Sequence, residues 1–234
     1  MDISNNQRIL TNSFIYNGLN TIQSILFGFL TSLLFTKIFG LEILGEFTLV
    51  ATYITIFFAV ITSGILTGFK RETIMFSTTN NNIGNFLFLV FTSTLVITIL
   101  FLGLFFLFED FIFELLNIQN INYNTLLLYL VSHVLFFVPG SLLMFTFESF
   151  QNIKPLFRIS LLSNFIKTIG LGLMVYFTLN VNNAIVVYFL VPNVVIFFFS
   201  FIHIVNNYNF NINFNEIHLS LNSFKKALLY SFKL

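Results

Sequence analysis

Six apolar stretches, each long enough to cross a bilayer, alternate with short polar connections along the chain. They cover about residues 14–39, 47–69, 84–108, 124–147, 157–179 and 183–205. Because the hydrocarbon layer offers no water to hydrogen-bond the backbone, each crossing segment has to form a helix. The pattern therefore predicts an all-α fold, a polytopic membrane bundle of six transmembrane helices over residues 1–205.

The pattern changes after the sixth stretch. Residues 206–222 are polar and rich in asparagine, so they cannot span a membrane and are predicted to form a cytoplasmic linker. Residues 223–234 place Lys225, Lys226 and Lys233 against leucine and phenylalanine side chains in an amphipathic pattern. This last stretch is expected to be the start of a truncated seventh helix or a helix that lies at the membrane surface.

The composition supports a membrane protein and excludes some chemistry. Hydrophobic residues make up 57% of the chain and charged residues only 8%, a balance that soluble domains of this size do not show. The chain has no cysteine, which excludes disulfides and thiolate metal sites. No small-residue cleavage site follows the first apolar run, which is also too long for a signal-peptide core, so no cleaved signal is predicted.

The basic residues predict the orientation in the membrane. Eight of them share the side of the N-terminus: Arg8, Lys70, Arg71, Lys154, Arg158, Lys225, Lys226 and Lys233. Lys37 alone lies near the opposite side. Since cytoplasmic loops carry the excess of lysine and arginine, the N-terminus is predicted to be cytoplasmic.

Lys167 is the principal candidate for a functional residue. It lies about ten residues from either end of the apolar run 157–179, too deep for its stem to reach water fully. An ionisable residue at that depth faces the bundle interior or a wet cavity, and marks a functional site by default. Helical spacing puts one polar or small face around it: Ser160, Ser163, Asn164, Lys167 and Gly170.

The first two predicted helices also carry polar or small faces. These are Asn17, Asn20, Ser24, Gly28 and Thr31 on the first helix, and Thr48, Thr52, Thr55, Ala59 and Thr62 on the second. Small and hydroxyl residues at this spacing are typical of close helix packing in lipid. A face that lines a cavity is the alternative.

The fourth predicted helix contains His133 near its middle, followed by Pro139. A histidine in a membrane helix is either a hydrogen-bonded structural residue or a proton carrier, since its ordinary pKa suits proton coupling. Pro139, and Pro192 in the sixth helix, are expected to bend their helices, because each removes a backbone hydrogen bond that neighbours then have to replace.

The motifs of most enzymes and channels are absent. The chain has no phosphate-cradling glycine loop, no paired carboxylates within a span, no HExxH and no Ser/His/Asp set at one membrane depth. It shows neither charge rings nor a carbonyl filter motif. Transport by a helical bundle with a wet interior is therefore predicted, with no enzymatic activity, no cofactor, no metal site and no nucleic-acid partner.

Four stretches together resemble the polysaccharide exporter family that includes the O-antigen flippases. They are TKIFGLEILGEFTLV, SGILTGFKRETIMF, FESFQNIKPLFRISLLSNFIKTIG and FKKALLYSFKL. The residues that match the family pattern are Lys37, Gly40, Gly45, Phe47, Lys70 and Arg71. The resemblance runs through the whole chain, but family members have twelve or more helices in two lobes. It identifies this chain as an N-terminal lobe, cut near the start of helix 7 and without the proline usual there, and expected not to transport alone.

The resemblance implies a function. Members of the family are flippases of the cell inner membrane, which move an undecaprenyl-diphosphate-linked oligosaccharide by alternating access for O-antigen or capsular polysaccharide synthesis. Their partners would include the membrane lipid, a polysaccharide polymerase and a chain-length regulator. Lys167 would then hold the diphosphate, with Asn17, Asn20 and Asn164 as donors to the sugars and His133 as a further cavity residue.

Two other functions remain open. A cation-coupled exporter of drugs or metabolites from the same superfamily would be expected to bury a carboxylate in this lobe, and no acidic residue lies in the middle of a predicted span. A six-helix scaffold for a glycan assembly complex would not transport, and Lys167 would pair structurally with a neighbouring carbonyl or amide.

Overall fold

The computed structural model describes residues 3–79, 83–108, 111, 114, 123–150, 152–177, 186–208, 210–213, 220–222 and 224–226. Six α-helices form the framework: α1 (Ile3–Thr79), α2 (Ile83–Leu107), α3 (Tyr123–Ser132), α4 (Val138–Ser149), α5 (Ile153–Phe177) and α6 (Val191–Asn207). Two π-helical turns, His133–Phe137 and Val186–Leu190, precede α4 and α6. No strand occurs among the described residues, which confirms the predicted all-α fold.

Within the described part of the chain, five helical stretches are long and apolar enough to cross a membrane, whereas six were predicted for the whole sequence. They are Thr11–Thr52, Ile83–Leu104, Leu127–Ser149, Ile153–Met174 and Val186–Asn207. The difference lies in α1, because the predicted spans 14–39 and 47–69 and the connection between them are helical apart from Gly40. The second predicted span is thus not found as a span of its own, and the chain is compatible with a multi-pass membrane protein of five apolar helices.

Gly40 nevertheless divides α1 into two segments, 3–39 and 41–79. Its backbone angles, φ 85° and ψ 169°, lie in a region that is essentially restricted to glycine. Phe35 and Phe47 are twelve residues apart, which is about 18 Å along a straight helix. Their rings are stacked with centroids only 5.4 Å apart. The two segments therefore fold back on each other at Gly40.

The amphipathic pattern of α5 is confirmed. Ser163 and the polar neighbours around Lys167 are buried or half-buried, as the spacing predicts for a face that contacts protein. The opposite face is largely exposed, with Phe165 at 52% and Leu173 at 54%. Because exposed large apolar side chains are stable where lipid surrounds them, this face is suited to contact the bilayer.

Each proline at a helix start follows a π-helical turn. The backbone N–H of Val138 donates to the carbonyl of His133, a hydrogen bond that skips one residue more than in an α-helix. The Ser163 hydroxyl donates to the carbonyl of Pro192 at 3.3 Å, across the interface of α5 and α6. Pro192 lacks the N–H that would bond to the carbonyl one turn earlier, and the bond from Ser163 reaches the carbonyl of Pro192 itself. The expectation that neighbouring helices replace the lost bonds therefore stays a prediction.

The segment after α6 packs on the start of α2. Asn85 holds it at Asn213 with two hydrogen bonds, donating from Nδ2 to the carbonyl at 3.0 Å and accepting from the backbone N–H at 2.7 Å. A Cβ atom on Gly84 would lie only 2.4 Å from the carbonyl oxygen of Asn211. The part 210–213 of the predicted linker is thus fastened to the bundle.

We expect Gly84→Ala to push residues 210–213 away from α2, because the contact involves backbone atoms that cannot rotate aside. Limited proteolysis of the protein in detergent should then cleave this segment faster than in the wild type. Gly103→Ala, in the same helix with nothing within 4 Å of its Cβ position, is the matched control and should leave the rate unchanged. Equal cleavage of wild type and Gly84→Ala would contradict the packing described here.

Candidate functional site

Lys167 lies on the protein-facing side of α5, half-buried, ten residues before the end of the helix at Phe177. Its Nζ atom lies 4.8 Å from the centroid of the Tyr188 ring, within the range of a cation–π contact. Among the residues that the structure describes, no carboxylate lies within ion-pairing distance of this ammonium. The charge is therefore compensated by an aromatic ring rather than by an acid.

Tyr188 belongs to an aromatic cluster that fixes its position. Its ring centroid lies 5.6 Å from those of Phe35 and Phe47, and 4.6 Å from that of Phe189. Phe35 and Phe47 are almost fully buried, so the cluster is well packed. Because Phe35 and Phe47 flank the Gly40 turn, Lys167 lies in the half of the bundle nearer to that turn.

A groove of about 290 Å³ opens beside the same tyrosine. Its lining combines one hydroxyl-bearing face of the 41–79 segment with two aromatic residues of the turn before α6: Phe47, Thr48, Ala51, Thr52, Thr55, Ile56, Tyr188 and Phe189. The three threonines are exposed, and the hydroxyls of Thr48 and Thr55 donate to carbonyls one turn earlier. Of the two interpretations of this face, the geometry favours cavity lining over helix packing for these three residues. The side chains of Ala59 and Thr62 lie outside the described part.

A second polar cluster joins α1 to α5 further from the Gly40 turn. Gln23, which is buried, donates from Nε2 to Asn20 Oδ1 at 2.7 Å and to Ser160 Oγ at 2.9 Å. Ser160 precedes Lys167 by seven residues, about 10 Å along the helix. The half-buried Asn164 lies between them on the same face. These residues connect Asn20, one of the predicted cavity residues, to the polar face of α5. The contact lies about 10 Å along the helix axis from the position of Lys167.

The remaining predicted cavity residues are placed differently. Asn17 is exposed about four turns into α1, and its carbonyl accepts from the Thr21 hydroxyl. His133 is buried in the π-helical turn, stacked on Phe137 with ring centroids 4.3 Å apart. It reaches the aromatic cluster through Tyr129, whose centroid is 5.9 Å away. The structure thus places Lys167 against Tyr188, which also lines the threonine groove, and leaves Asn17 and His133 away from this contact.

The residues of the family pattern fall near the two ends of the 41–79 segment. Lys37 and Gly45 are exposed, and the Arg71 side chain lies outside the described part. Lys70 pairs with Glu148 at the end of α4, at 2.5 Å, and lies over the Phe145 ring. Both charged side chains of the pair are 38% exposed, so the bridge contributes at most about 1 kcal/mol to stability.

Sequence reasoning missed Tyr188, Gln23 and Glu148. Tyr188 lies near the start of an apolar stretch, where a tyrosine reads equally well as an interface anchor. Gln23 falls between the polar positions of the first helix and carries no motif. For Glu148, the positive charge of Lys70 was the only indication in the sequence that an acidic residue would pair with it. Each of these contacts joins residues far apart in sequence, which a pattern along one helix cannot reveal.

The arrangement suits an anion with an extended polar neighbour. A half-buried ammonium attracts a phosphate more strongly than one in bulk water, because the surrounding protein screens the charge less. The threonine hydroxyls in the groove beside Tyr188 are available as hydrogen-bonding partners for a polar group such as a sugar. No family model, no curated protein and no solved structure matches this chain.

Proposed function

We propose that the chain is one lobe of a flippase of the polysaccharide exporter family, and that it moves an undecaprenyl-diphosphate-linked oligosaccharide across the inner membrane. The observation that carries the proposal is the ammonium of Lys167, which has no carboxylate within ion-pairing distance among the described residues and lies over Tyr188, a residue that also lines the threonine groove. A charge inside a membrane helix has a high free-energy cost, and charged residues at such positions therefore usually have a functional role.

The proposal takes the two segments of α1 as separate crossings. Gln23 contacts Ser160 near the start of α5, and Lys70 contacts Glu148 just before it. Both ends of the α1 hairpin therefore meet the bundle near the connection of α4 and α5, with Gly40 remote from it. This geometry supports our proposal of six crossings, in which both ends of the α1 hairpin lie on one side of the membrane, the cytoplasm.

In this mechanism a second lobe covers the exposed threonine groove and completes the cavity. Lys167 holds the diphosphate while the prenyl chain stays in the bilayer, and the two lobes rock between inward- and outward-open states. The prenyl diphosphate would supply the ion pair that Lys167 lacks among the described residues. The sugars would lie along Thr48, Thr52 and Thr55.

Surface display of the glycan tests the proposal in cells. The complete two-lobe transporter is expressed in a strain that lacks its own flippase, and display is measured at matched membrane expression. We expect Lys167→Met to lose most of the display and Lys167→Arg to keep much of it, since charge is what the cavity requires. Wild-type display from Lys167→Met would contradict the proposal and favour a scaffold. Export of a cationic dye without glycan display would favour the drug exporter.

A further inference from the structure

A polar groove of about 390 Å³ lies between α5 and α6, away from the Lys167 site. Its lining carries two cations, a histidine and three amides above apolar side chains: Asn152, Lys154, Pro155, Arg158, Ile159, Phe199, Ile202, His203, Asn206 and Asn207. None of these lining residues is acidic. The groove therefore presents a net positive charge that the flippase mechanism does not use.

The level of the groove relative to the membrane points to its ligand. The apolar stretches Ile153–Met174 and Val186–Asn207 end beside it, so the groove lies where hydrocarbon gives way to water. Lys154 and Arg158 are one helical turn apart on α5, both exposed, so their charged groups can converge on one anion. Basic pockets between membrane helices at this level are typical of lipid headgroup sites.

The apolar side chains below the cations distinguish a lipid from a soluble anion. Ile202 and Phe199 lie one and two turns deeper in α6 than Asn206, with 51% and 48% of their surfaces exposed. They form an open apolar track that leads from the cations along the lipid-facing side of the bundle. Free phosphate would contact only the cations, whereas a phospholipid would contact the cations with its headgroup and the apolar side chains with an acyl chain.

Tyr208 at the rim does not oppose an anion. Burial raises the pKa of its phenol, an effect that the hydrogen bond from Asn152 Nδ2 partly offsets. The phenol is therefore neutral at physiological pH. The ring is fixed by stacking on Phe150, with centroids 4.5 Å apart.

We infer that this groove binds an anionic phospholipid, with the phosphate on Lys154 and Arg158 and one acyl chain along Phe199 and Ile202. A lipid held there would bridge α5 and α6 at the membrane surface. The site is distinct from the proposed substrate site, which lies in the other half of the bundle at Lys167.

Native mass spectrometry of the 234-residue chain, titrated with dioleoyl-phosphatidylglycerol in detergent, tests this inference. Each cation near a charged lipid surface contributes about 1 kcal/mol, which is roughly a fivefold change in the dissociation constant. We expect Lys154→Ala and Arg158→Ala each to weaken binding about fivefold, and the double variant by about 25-fold. Lys37→Ala removes an equal charge from an exposed position near the Gly40 turn, and should bind as the wild type does.

Two further ligands separate the sources of the anion. The wild type should bind dioleoyl-phosphatidylcholine more weakly than phosphatidylglycerol. The double variant should bind the two lipids with equal affinity. Inorganic phosphate should not displace phosphatidylglycerol at millimolar concentration. The inference is overturned by displacement by phosphate, by unchanged affinity in the double variant, or by an equal loss in Lys37→Ala. Because Lys167 is intact in all these variants, the result does not depend on the proposed transport function.

Discussion

Gly40→Ala is expected to destabilise the protein by about 1–3 kcal/mol, because φ 85° and ψ 169° place the residue where a Cβ atom is strained. The space around the residue is not the reason, since nothing lies within 4 Å of its Cβ position. The cost arises within the backbone itself. A variant that relieved the strain by straightening α1 would lose the stacking of Phe35 on Phe47 and open the aromatic cluster around Tyr188.

Gly45→Ala is the matched control. Gly45 lies in the helical 41–79 segment, five residues beyond the turn, with nothing within 4 Å of its Cβ position. Alanine is favoured over glycine inside a helix by roughly 0.5–1 kcal/mol, so this variant should be neutral or slightly more stable. The free energy of unfolding in mixed detergent and SDS micelles measures both variants. Equal stability of Gly40→Ala and Gly45→Ala would contradict a turn that requires glycine.

The fold-back at Gly40 has a separate readout, because the chain lacks cysteine. Cysteines placed at positions 35 and 47 should be joined by a short bifunctional thiol reagent in the wild-type background. The yield should fall when Gly40→Ala is added. Absence of cross-linking in the background that keeps Gly40 would show that the two segments of α1 do not face each other.

Lys167→Ala is expected to weaken binding of a prenyl diphosphate about tenfold to a hundredfold. The variant removes a charge-assisted contact and leaves the diphosphate partly desolvated, a loss of about 1.5–3 kcal/mol. Tyr188→Phe keeps the ring against the ammonium and removes only the hydroxyl, so it should have a smaller effect. A change in Tyr188→Phe as large as that in Lys167→Ala would assign the binding to the phenol instead.

If Lys167 has only a structural role, the expected effect of replacing it is on stability and not on binding. If Lys167 served only packing, Lys167→Met would remove the cost of a buried charge and raise the amount of folded protein without affecting binding. If Lys167 binds the diphosphate, Lys167→Met can raise stability as well, but it must also lower the affinity for the prenyl diphosphate. Binding and stability therefore have to be measured on the same preparations.

Much of the fold was readable from the sequence for a simple physical reason. A membrane helix has to be continuous and apolar over its whole length, so α2 and α5 begin and end within a few residues of the predicted stretches. The end of α6 agrees equally well with the prediction, although a π-helical turn precedes its start at Val191. The protein-facing side of α5 was equally predictable, because polar residues in lipid cluster on the face that avoids it.

The turn at Gly40 was not readable in the same way. A glycine in a helical pattern gives no sign of its φ angle, and the polar connection predicted between residues 39 and 47 is helical in the structure apart from Gly40. Likewise, Pro139 and Pro192 predicted breaks, but not that a π-helical turn would precede each of them.

The candidate site depended most on long-range contacts. The depth of Lys167 in its helix could be obtained by counting residues along the sequence. Its contact with Tyr188 could not be predicted, because the two residues belong to different helices and the sequence does not show how these helices pack. The asparagines of the first helix shared a predicted face with Thr31, yet Asn17 is exposed and Thr31 is fully buried. Helical spacing assigns a face, and only the packing of neighbours decides which part of that face is covered.

The dissociation constant for undecaprenyl diphosphate in lipid nanodiscs is the most direct measurement of the proposed cationic site. Wild type, Lys167→Met and Lys167→Arg are compared, with Lys226→Met as a control that removes an equal charge from an exposed position. Undecaprenol, which lacks the diphosphate, serves as the reference ligand. We expect Lys167→Met to bind the diphosphate at least tenfold more weakly than the wild type, Lys226→Met to be unchanged, and undecaprenol not to distinguish the variants. Equal dissociation constants of wild type and Lys167→Met for the diphosphate would contradict the account.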